Sequence, residues 1–141
     1  MATLFTRIIE GEIPGRFVWR DDQCVVFLTI APLRTGHALV VPIAEVDHWL
    51  DLEPALASHL FAVAQEIGKA QMAAFSPVRV GLIIAGLEVP HTHLHVIPID
   101  TEADIDFARA DPAASPESLD LAASRLRAAL RSAGQGHVVD A

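Results

Sequence analysis

The strongest periodic pattern in the chain is a run of apolar residues that recur every three or four positions between residues 52 and 74. This spacing puts them on one face of a helix of about six turns. Asp51 is the predicted cap, Pro54 fits the first turn, and Ser76 with Pro77 ends the helix. The residues of the apolar face are Leu52, Leu56, Leu60, Val63, Ile67, Ala70 and Ala74.

Two further helices are predicted near the ends of the chain. At the N-terminus, Thr3 can cap the free amides, apolar residues follow at i,i+4 spacing, and Gly11 and Pro14 prevent continuation. Near the C-terminus, Ser115 and Pro116 open a final helix with a second apolar face. The residues of that face are Leu119, Ala122, Leu126, Ala129 and Leu130.

Five runs rich in β-branched and other apolar residues predict strands. They cover residues 16–20, 24–28, 37–41, 78–85 and 93–99. The polar residues 21–23 have the length of an antiparallel hairpin turn. The order of helix, three strands, long helix, two strands and final helix predicts an α+β fold with an antiparallel sheet of about five strands.

The composition fits a single domain. The chain has 141 residues, of which 52% are hydrophobic and 20% charged, so it can bury a core without a disulfide. Its net charge of −8 argues against a nucleic acid polymer as partner, because duplex affinity depends on clustered Lys and Arg. Residues 100–120 hold seven acidic residues and one arginine, so the rest of the chain is only mildly acidic and can accept a small phosphate ligand.

The cysteine content and the hydropathy pattern bear on location. Cys24 is the only cysteine, so it cannot form an intramolecular disulfide, and a packed core thiol in a reducing compartment is expected. No run approaches the roughly 18 apolar residues of a membrane span, and the first ten residues do not form a signal-peptide core. We expect a cytoplasmic protein with no membrane partner.

The most distinctive short motif is the run from His91 to His95, with histidine at alternate positions. In a β-strand these three imidazoles would point the same way at roughly 6 to 7 Å spacing, while the residues between them face the helices. Three adjacent imidazoles cannot all be charged cheaply. The motif therefore predicts a surface where one neutral, nucleophilic histidine is flanked by hydrogen-bond donors.

Three interpretations of this surface stay open from the residues alone. A purely structural strand is the least favoured, because apolar strands seldom carry three polar rings on one face. A metal site fits the frequent His-x-His ligand pair, although no fixed carboxylate or second cysteine stands beside it. Phosphoryl chemistry on an imidazole is favoured, since nearby glycines let backbone amides approach an anion.

The run His91 to Ile97 resembles the signature of the histidine triad (HIT) superfamily, His-φ-His-φ-His-φ-φ with φ apolar, except that Thr92 fills the first φ position. The likeness extends through residues 5–14, 21–22, 27–32, 36–42 and 86–90 in the family's order. It implies a HIT domain over residues 1–99. Residues 100–141 would add an acidic connector, a C-terminal helix and a tail to the same single domain.

The resemblance implies a nucleotidyl hydrolase or transferase that cleaves the α-phosphorus bond of a nucleoside phosphoramidate or dinucleoside polyphosphate. The family's middle histidine attacks phosphorus, which assigns the nucleophile to His93 and implies a covalent nucleotidyl-histidine intermediate. By position, His95 binds the phosphate oxygens, while His91 and His37 orient the cluster and manage protons. No metal or cofactor is implied. The alternatives are a nucleotide-binding module with little catalysis and a His-ligated metal site.

The resemblance also implies a pocket for a purine nucleotide between the first helix and the second strand. Most members carry an Asp where this chain has Thr29, which offers the ribose one hydroxyl and no charge. Glu88 lies in the short loop before the histidines and is expected to replace the amide side chains found there in other members. Members of similar size form two-fold dimers, so a homodimer is expected. The residues assigned to the pocket walls are Phe5, Ile8, Ile13, Phe27 and Leu28.

Overall fold

The protein is described by a computed structural model covering residues 1–140, in which three α-helices form close to their predicted positions. Helix α1 spans Leu4–Ile9 and is capped by Thr3, whose Oγ1 accepts a hydrogen bond from the Thr6 amide at 3.1 Å. Helix α2 spans Pro54–Phe75, with Glu53 rather than Asp51 at its cap position, and ends where Ser76 adopts a left-handed φ of 49°. Helix α3 spans Pro116–Ser132 and is capped by Ser115.

The five strands are β1 (Phe17–Arg20), β2 (Cys24–Leu28), β3 (Ala38–Pro42), β4 (Arg79–Ile83) and β5 (Leu94–Ile99). They form one sheet in the order β1-β2-β3-β5-β4, and every neighbouring pair is antiparallel. The predicted α+β fold with about five antiparallel strands is therefore confirmed. Strands β1 and β4 form the two edges of the sheet, and β3 and β5 meet at its centre.

The two faces of the sheet are buried against different helices, because alternate side chains of a strand point in opposite directions. One face, which includes Val40 and Leu94, packs against α2 and α3. The other face, which includes Phe27 and Leu39, packs against Phe5 of α1. Strands β2 and β3 are buried along their whole length, which explains their unbroken apolar sequences.

The chain beyond residue 99 shares this core. Leu126 and Leu130 of α3 are fully buried in the same cluster as Leu60 and Ile67 of α2. Residues 100–113, which join β5 to α3, are called the connector. They contain two short 3-10 turns, Glu102–Ile105 and Phe107–Arg109. In the described part of the chain, no helix is both long enough and apolar enough to cross a membrane.

Candidate active site

The four histidines singled out from the sequence lie around the junction of β3 and β5, but not as one evenly spaced row. Strand β5 begins at Leu94, so only His95 lies in the strand, opposite Leu39, while His91 and His93 precede it. The ring centroids of His93 and His95 are 4.9 Å apart, and those of His37 and His95 are 5.1 Å apart. The expectation that all three histidines belong to one strand at 6 to 7 Å spacing is therefore wrong. The rings of His91 and His93 do both contact Phe5 on the α1 side of the sheet, and Leu94 and Val96 face the helices as predicted.

His91 is fully buried, and both of its ring nitrogens are bonded to protein. Its Nε2 lies 2.7 Å from the carbonyl oxygen of Pro42, which can only accept, so Nε2 carries the hydrogen. Its Nδ1 lies 2.7 Å from Oγ1 of Thr3 and therefore accepts from that hydroxyl. No nitrogen of His91 is left for a substrate or a metal ion, so its ring can act only by holding its surroundings in place.

His93 is held in one tautomer by the backbone. Its Nδ1 lies 2.7 Å from the carbonyl oxygen of His91 and donates to it, which leaves the lone pair on Nε2 unprotonated. Burial lowers the pKa of His93 below its ordinary value, so the ring is neutral near pH 7. The ring also meets that of Phe5 edge to face, with centroids 4.8 Å apart. The arrangement presents a neutral imidazole with a free nucleophilic nitrogen.

His37 fixes the opposite tautomer on His95. The Leu33 amide donates to Nδ1 of His37 at 3.1 Å, so the hydrogen of His37 lies on Nε2. That Nε2 donates to Nδ1 of His95 at 2.9 Å, which leaves the hydrogen of a neutral His95 on its Nε2. Burial, with the neighbouring imidazoles, lowers the pKa of His37 to about 3 and that of His95 to about 4, so both are neutral near pH 7.

The four rings therefore offer two different groups to a ligand. Within residues 1–140, their hydrogen bonds to protein leave two ring nitrogens without a partner, Nε2 of His93 and Nε2 of His95. Nε2 of His93 offers a lone pair, and Nε2 of His95 offers an N–H donor. An electrophilic phosphorus beside His93 would have its oxygens beside the donor of His95, which is the pairing that attack on a phosphoryl group requires.

A cavity of about 320 Å³ opens between α1 and the ends of β1 and β2, with His93 and His95 in its wall. Its walls are mostly apolar, and its one cationic side chain, Arg16, is bonded to Asp120 at 2.7 Å. Oγ1 of Thr29 accepts from the Ala31 amide at 3.2 Å, so the hydroxyl can still donate its hydrogen. Every residue assigned to the nucleotide pocket lines this cavity: Phe5, Ile8, Ile13, Phe27, Leu28, Thr29 and Glu88.

Two supporting residues were not identified from the sequence. Gln71 is a fully buried side chain on α2, and its Nε2 donates to the carbonyl oxygens of Gly36 at 2.9 Å and Val96 at 2.8 Å. These carbonyls directly precede His37 and follow His95, so Gln71 ties the two ends of that histidine pair to one helix. A single amide on the otherwise apolar face of α2 was the signal available in the sequence. Thr3, predicted only as a helix cap, is the second.

Gly36 allows the chain to turn into His37. Its φ is +88°, which favours glycine, and a Cβ there would clash with the ring of Phe75. Any side chain at this position would require the ring of Phe75, at the C-terminal end of α2, to move. The end of α2 therefore packs directly against the residue that precedes His37.

A group of potential metal ligands lies where the β1–β2 hairpin meets α2, and donor atoms of Asp21, Cys24 and His59 there lie within 4.8 Å of one another. Oδ2 of Asp21 already accepts from Trp19 Nε1 at 2.9 Å and from His59 Nε2 at 2.8 Å. Burial and the Asp21 carboxylate raise the pKa of Cys24, which keeps it a protonated thiol. The group is explained as a hydrogen-bonded network that closes the β1–β2 hairpin.

The comparisons with known proteins agree with this geometry. A family pattern described as HIT domain matches residues 10–102. An uncharacterized HIT-like protein from Borreliella burgdorferi is 35% identical over 102 residues, which cover 67% of this chain and 73% of that protein. Adenylylsulfatase HINT3 from Arabidopsis thaliana is 29% identical over 100 residues, covering 67% of this chain and 51% of that protein.

A similar solved structure is that of a Zn-bound histidine triad family protein from Mycobacterium smegmatis. It superposes with a TM-score of 0.82 at 25% sequence identity and covers 97% of this chain and 99% of its own. The match therefore includes the region of α3 as well as the sheet. The chain belongs to the HIT family, which at the level of the family supports the function of a nucleotide-binding hydrolase or transferase.

Proposed function

We propose that the protein cleaves the bond between the α-phosphorus and the leaving group of a nucleoside phosphoramidate or dinucleoside polyphosphate, through a covalent nucleotidyl-His93 intermediate. The observation that carries this proposal is the pair of fixed tautomers, with a lone pair on His93 Nε2 and a hydrogen on His95 Nε2. Because backbone groups and His37 set these tautomers, no rearrangement of the rings is needed before attack.

In the first step, Nε2 of His93 forms a bond to the α-phosphorus, and the bond to the leaving nitrogen or oxygen breaks. The electron pair departs with the leaving atom, which takes a proton from solvent when it is an amine. His95 Nε2 donates a hydrogen bond to a phosphoryl oxygen, where charge develops. Nδ1 of His93 keeps its hydrogen bond to the His91 carbonyl, which stabilises the positive charge of the substituted ring.

In the second step, water forms a bond to phosphorus, the bond to His93 breaks, and its electron pair returns to Nε2. The water gives its proton to solvent, so the proton consumed with an amine leaving group is restored. The products are a nucleoside monophosphate and the free leaving group. We propose that a purine ring occupies the apolar cavity beside Phe5 and Phe27, and that Thr29 and Glu88 contact the polar part of the nucleotide.

The test is release of adenosine monophosphate from adenosine 5′-phosphoramidate and from diadenosine polyphosphates. We expect His93→Ala to abolish release, and the wild-type protein to carry a nucleotidyl adduct on His93 after rapid quenching. The matched control is His137→Ala, which removes an exposed imidazole outside the cavity. Turnover by His93→Ala at the wild-type rate overturns the proposal. Nucleotide binding by the wild type without release from any compound instead supports a binding module.

We also propose that a second copy of the chain covers the outer face of α2 and β4. Strand β4 is an edge strand, and beside it lies an exposed apolar groove of about 480 Å³ that includes Phe61, Met72, Val78 and Leu82. An edge strand next to an apolar groove suits a two-fold, antiparallel continuation of the sheet. We expect a dimer in sedimentation experiments at micromolar concentration and a monomer for Leu82→Arg. A monomeric wild type overturns the proposal.

A further inference from the structure

A second cavity, of about 260 Å³, adjoins the nucleotide cavity at the histidines. The two share a boundary formed by residues that include His93, His95 and Glu88. The outer walls of the second cavity come from elsewhere, namely the loop at Leu87 and the connector at Phe107. If the base and ribose occupy the first cavity and phosphorus lies beside His93, the group that leaves from phosphorus points into the second.

The connector wall is fixed in place by polar contacts. Arg34 donates to Asp104 at 2.6 Å and to Asp100 at 2.9 Å. The Asp111 amide donates to the carbonyl oxygen of Pro32 at 3.1 Å. The connector is therefore tied at both ends to the loop that leads into β3 and His37.

This anchoring presents Phe107 to the cavity. Its ring meets that of His95 edge to face, with centroids 4.9 Å apart, yet Phe107 remains 43% exposed. Leu87, on the facing loop, is 94% exposed. Two large apolar side chains that border a reactive histidine and are not covered by protein form a surface on which an apolar group can pack.

The charges of the second cavity differ from those expected around a polyphosphate. No Lys or Arg is among its lining residues, and Glu88 contributes a carboxylate. Arg34, the cation that anchors the connector, is engaged by two aspartates. A leaving group that carries several negative charges would have no cation to pair with and would lie near a carboxylate, which is unfavourable.

We infer that the second cavity is a leaving-group subsite that accepts apolar or cationic groups and rejects anionic ones. An apolar chain packs on Phe107 and Leu87, and a cationic end pairs with Glu88 or lies over the Phe107 ring. The inference rests on the proposed function, because it takes the position of phosphorus from attack by His93. It favours amine leaving groups over the nucleoside polyphosphate that departs from a dinucleoside polyphosphate.

The experiment compares three adenosine 5′-phosphoramidates that differ only at the distal end of the amine: hexylamine, 1,6-diaminohexane and 6-aminohexanoate. The reacting nitrogen is nearly the same in all three, so differences in kcat/KM report the subsite. We expect the neutral and cationic compounds to exceed the anionic one by about tenfold, a difference of about 1.4 kcal/mol. Glu88→Gln should narrow the ratio between the cationic and anionic compounds.

Phe107→Ala tests the aromatic wall against a merely supporting role next to His95. We expect it to lower kcat/KM for the hexylamine compound about fivefold more than for the unsubstituted phosphoramidate, whose leaving group is ammonia. The control is Leu121→Ala, an exposed apolar residue of α3 outside the cavities, which should change neither value. Equal losses on both compounds in Phe107→Ala mean that the ring only supports His95, and they overturn the subsite.

Equal kcat/KM values for the three hexyl compounds, or a preference for the anionic one, also overturn the inference. If the wild type cleaves none of them, the proposed function fails, and the dissociation constants of the intact compounds then measure the subsite alone. Tighter binding of the neutral and cationic compounds supports the subsite in that case. Equal binding, or no binding, overturns it.

Discussion

The hydroxyl of Thr3 donates a hydrogen bond to Nδ1 of His91 across 2.7 Å, joining residues that lie 88 positions apart in the chain. The same oxygen accepts from the Thr6 amide and so caps α1. The backbone carbonyl of His91 in turn accepts from His93, so the buried residue His91 connects the first helix to the proposed nucleophile. Thr3 is therefore a positioning residue for the site as well as a helix cap.

We predict that Thr3→Val lowers both stability and turnover. The substitution keeps the shape of the side chain but removes the cap, which costs about 1 kcal/mol, and leaves a buried nitrogen of His91 unpaired, which costs about 1 to 3 kcal/mol. Chemical denaturation measures the loss of stability, and kcat for adenosine 5′-phosphoramidate measures the loss of turnover. Thr3→Ser retains the hydroxyl and should restore kcat. A normal kcat in Thr3→Val would show that His91 needs no such support.

A second prediction concerns pH. Above a folded-state pKa the imidazole is neutral, and the pKa values of His37 and His95 are lowered to about 3 and about 4, with that of His93 also lowered. We therefore expect kcat/KM to show no loss as pH falls from 8 through about 6.5, the ordinary histidine pKa. A pH–rate profile that declines with an apparent pKa near 6.5 contradicts the neutral cluster.

The same lowered pKa values make stability depend on pH. Between the folded and unfolded pKa values the unfolded chain binds more protons, so the free energy of unfolding falls as pH drops below about 6.5. At pH 5 the contribution from His37, whose folded pKa is about 3, is a loss of about 2 kcal/mol relative to pH 7. Denaturation at the two pH values measures it. His37→Gln should show a smaller loss, and an equal loss would assign the effect to other groups.

Gln71 provides a fourth prediction. Gln71→Leu removes both hydrogen bonds from α2 to the carbonyls beside His37 and His95, each worth about 1 kcal/mol. We expect lower stability together with a lower kcat, because the spacing of the histidine pair is no longer fixed. Gln23→Leu, at an exposed position in the hairpin turn, is the matched control. A loss of stability with kcat unchanged would limit Gln71 to packing.

A fifth prediction concerns the ribose. Thr29 offers one hydroxyl, whereas an aspartate there would accept from both ribose hydroxyls while keeping the bond to the Ala31 amide. We expect Thr29→Asp to tighten adenosine monophosphate binding about threefold to tenfold in calorimetric titrations. Binding of 2′,3′-dideoxyadenosine monophosphate should not improve. A gain for both nucleotides, or for neither, would show that Thr29 does not face the ribose.

Local patterns were enough to predict most of the fold. The 3.6-residue period of α2, the hairpin turn after β1 and the apolar runs of β2 and β3 each depend on neighbours in sequence, so their elements form close to where the pattern places them. The start of β5 was misplaced by one residue, because pairing with β3 begins at Leu94 and His93 precedes the paired residues.

The site was predicted less completely than the fold because its chemistry depends on distant partners. The family motif marks His93 and His95, but it does not show which ring nitrogen carries the hydrogen. The His91 carbonyl sets that nitrogen in His93, and His37, which directly precedes β3, sets it in His95. The roles of Thr3 and Gln71 follow from contacts across 88 and 35 positions, for which the sequence has no local pattern. Phe107 lies in the acidic connector, where composition gave no reason to expect a wall of the site.

Phe107 lies in a different part of the chain from most of the residues around the histidines. The four histidines and most of the nucleotide cavity lie within residues 10–102, the part that matches the family pattern. Phe5 and Ile8 of the nucleotide cavity precede that part, and Phe107 and Ala110 of the second cavity lie beyond it. On the inference above, Leu87 and Glu88 of the leaving-group subsite lie within the stretch that carries the histidines, whereas its aromatic wall, Phe107, is encoded outside that stretch. Exchange of the connector alone is then a route to a new substrate range with the reaction itself retained.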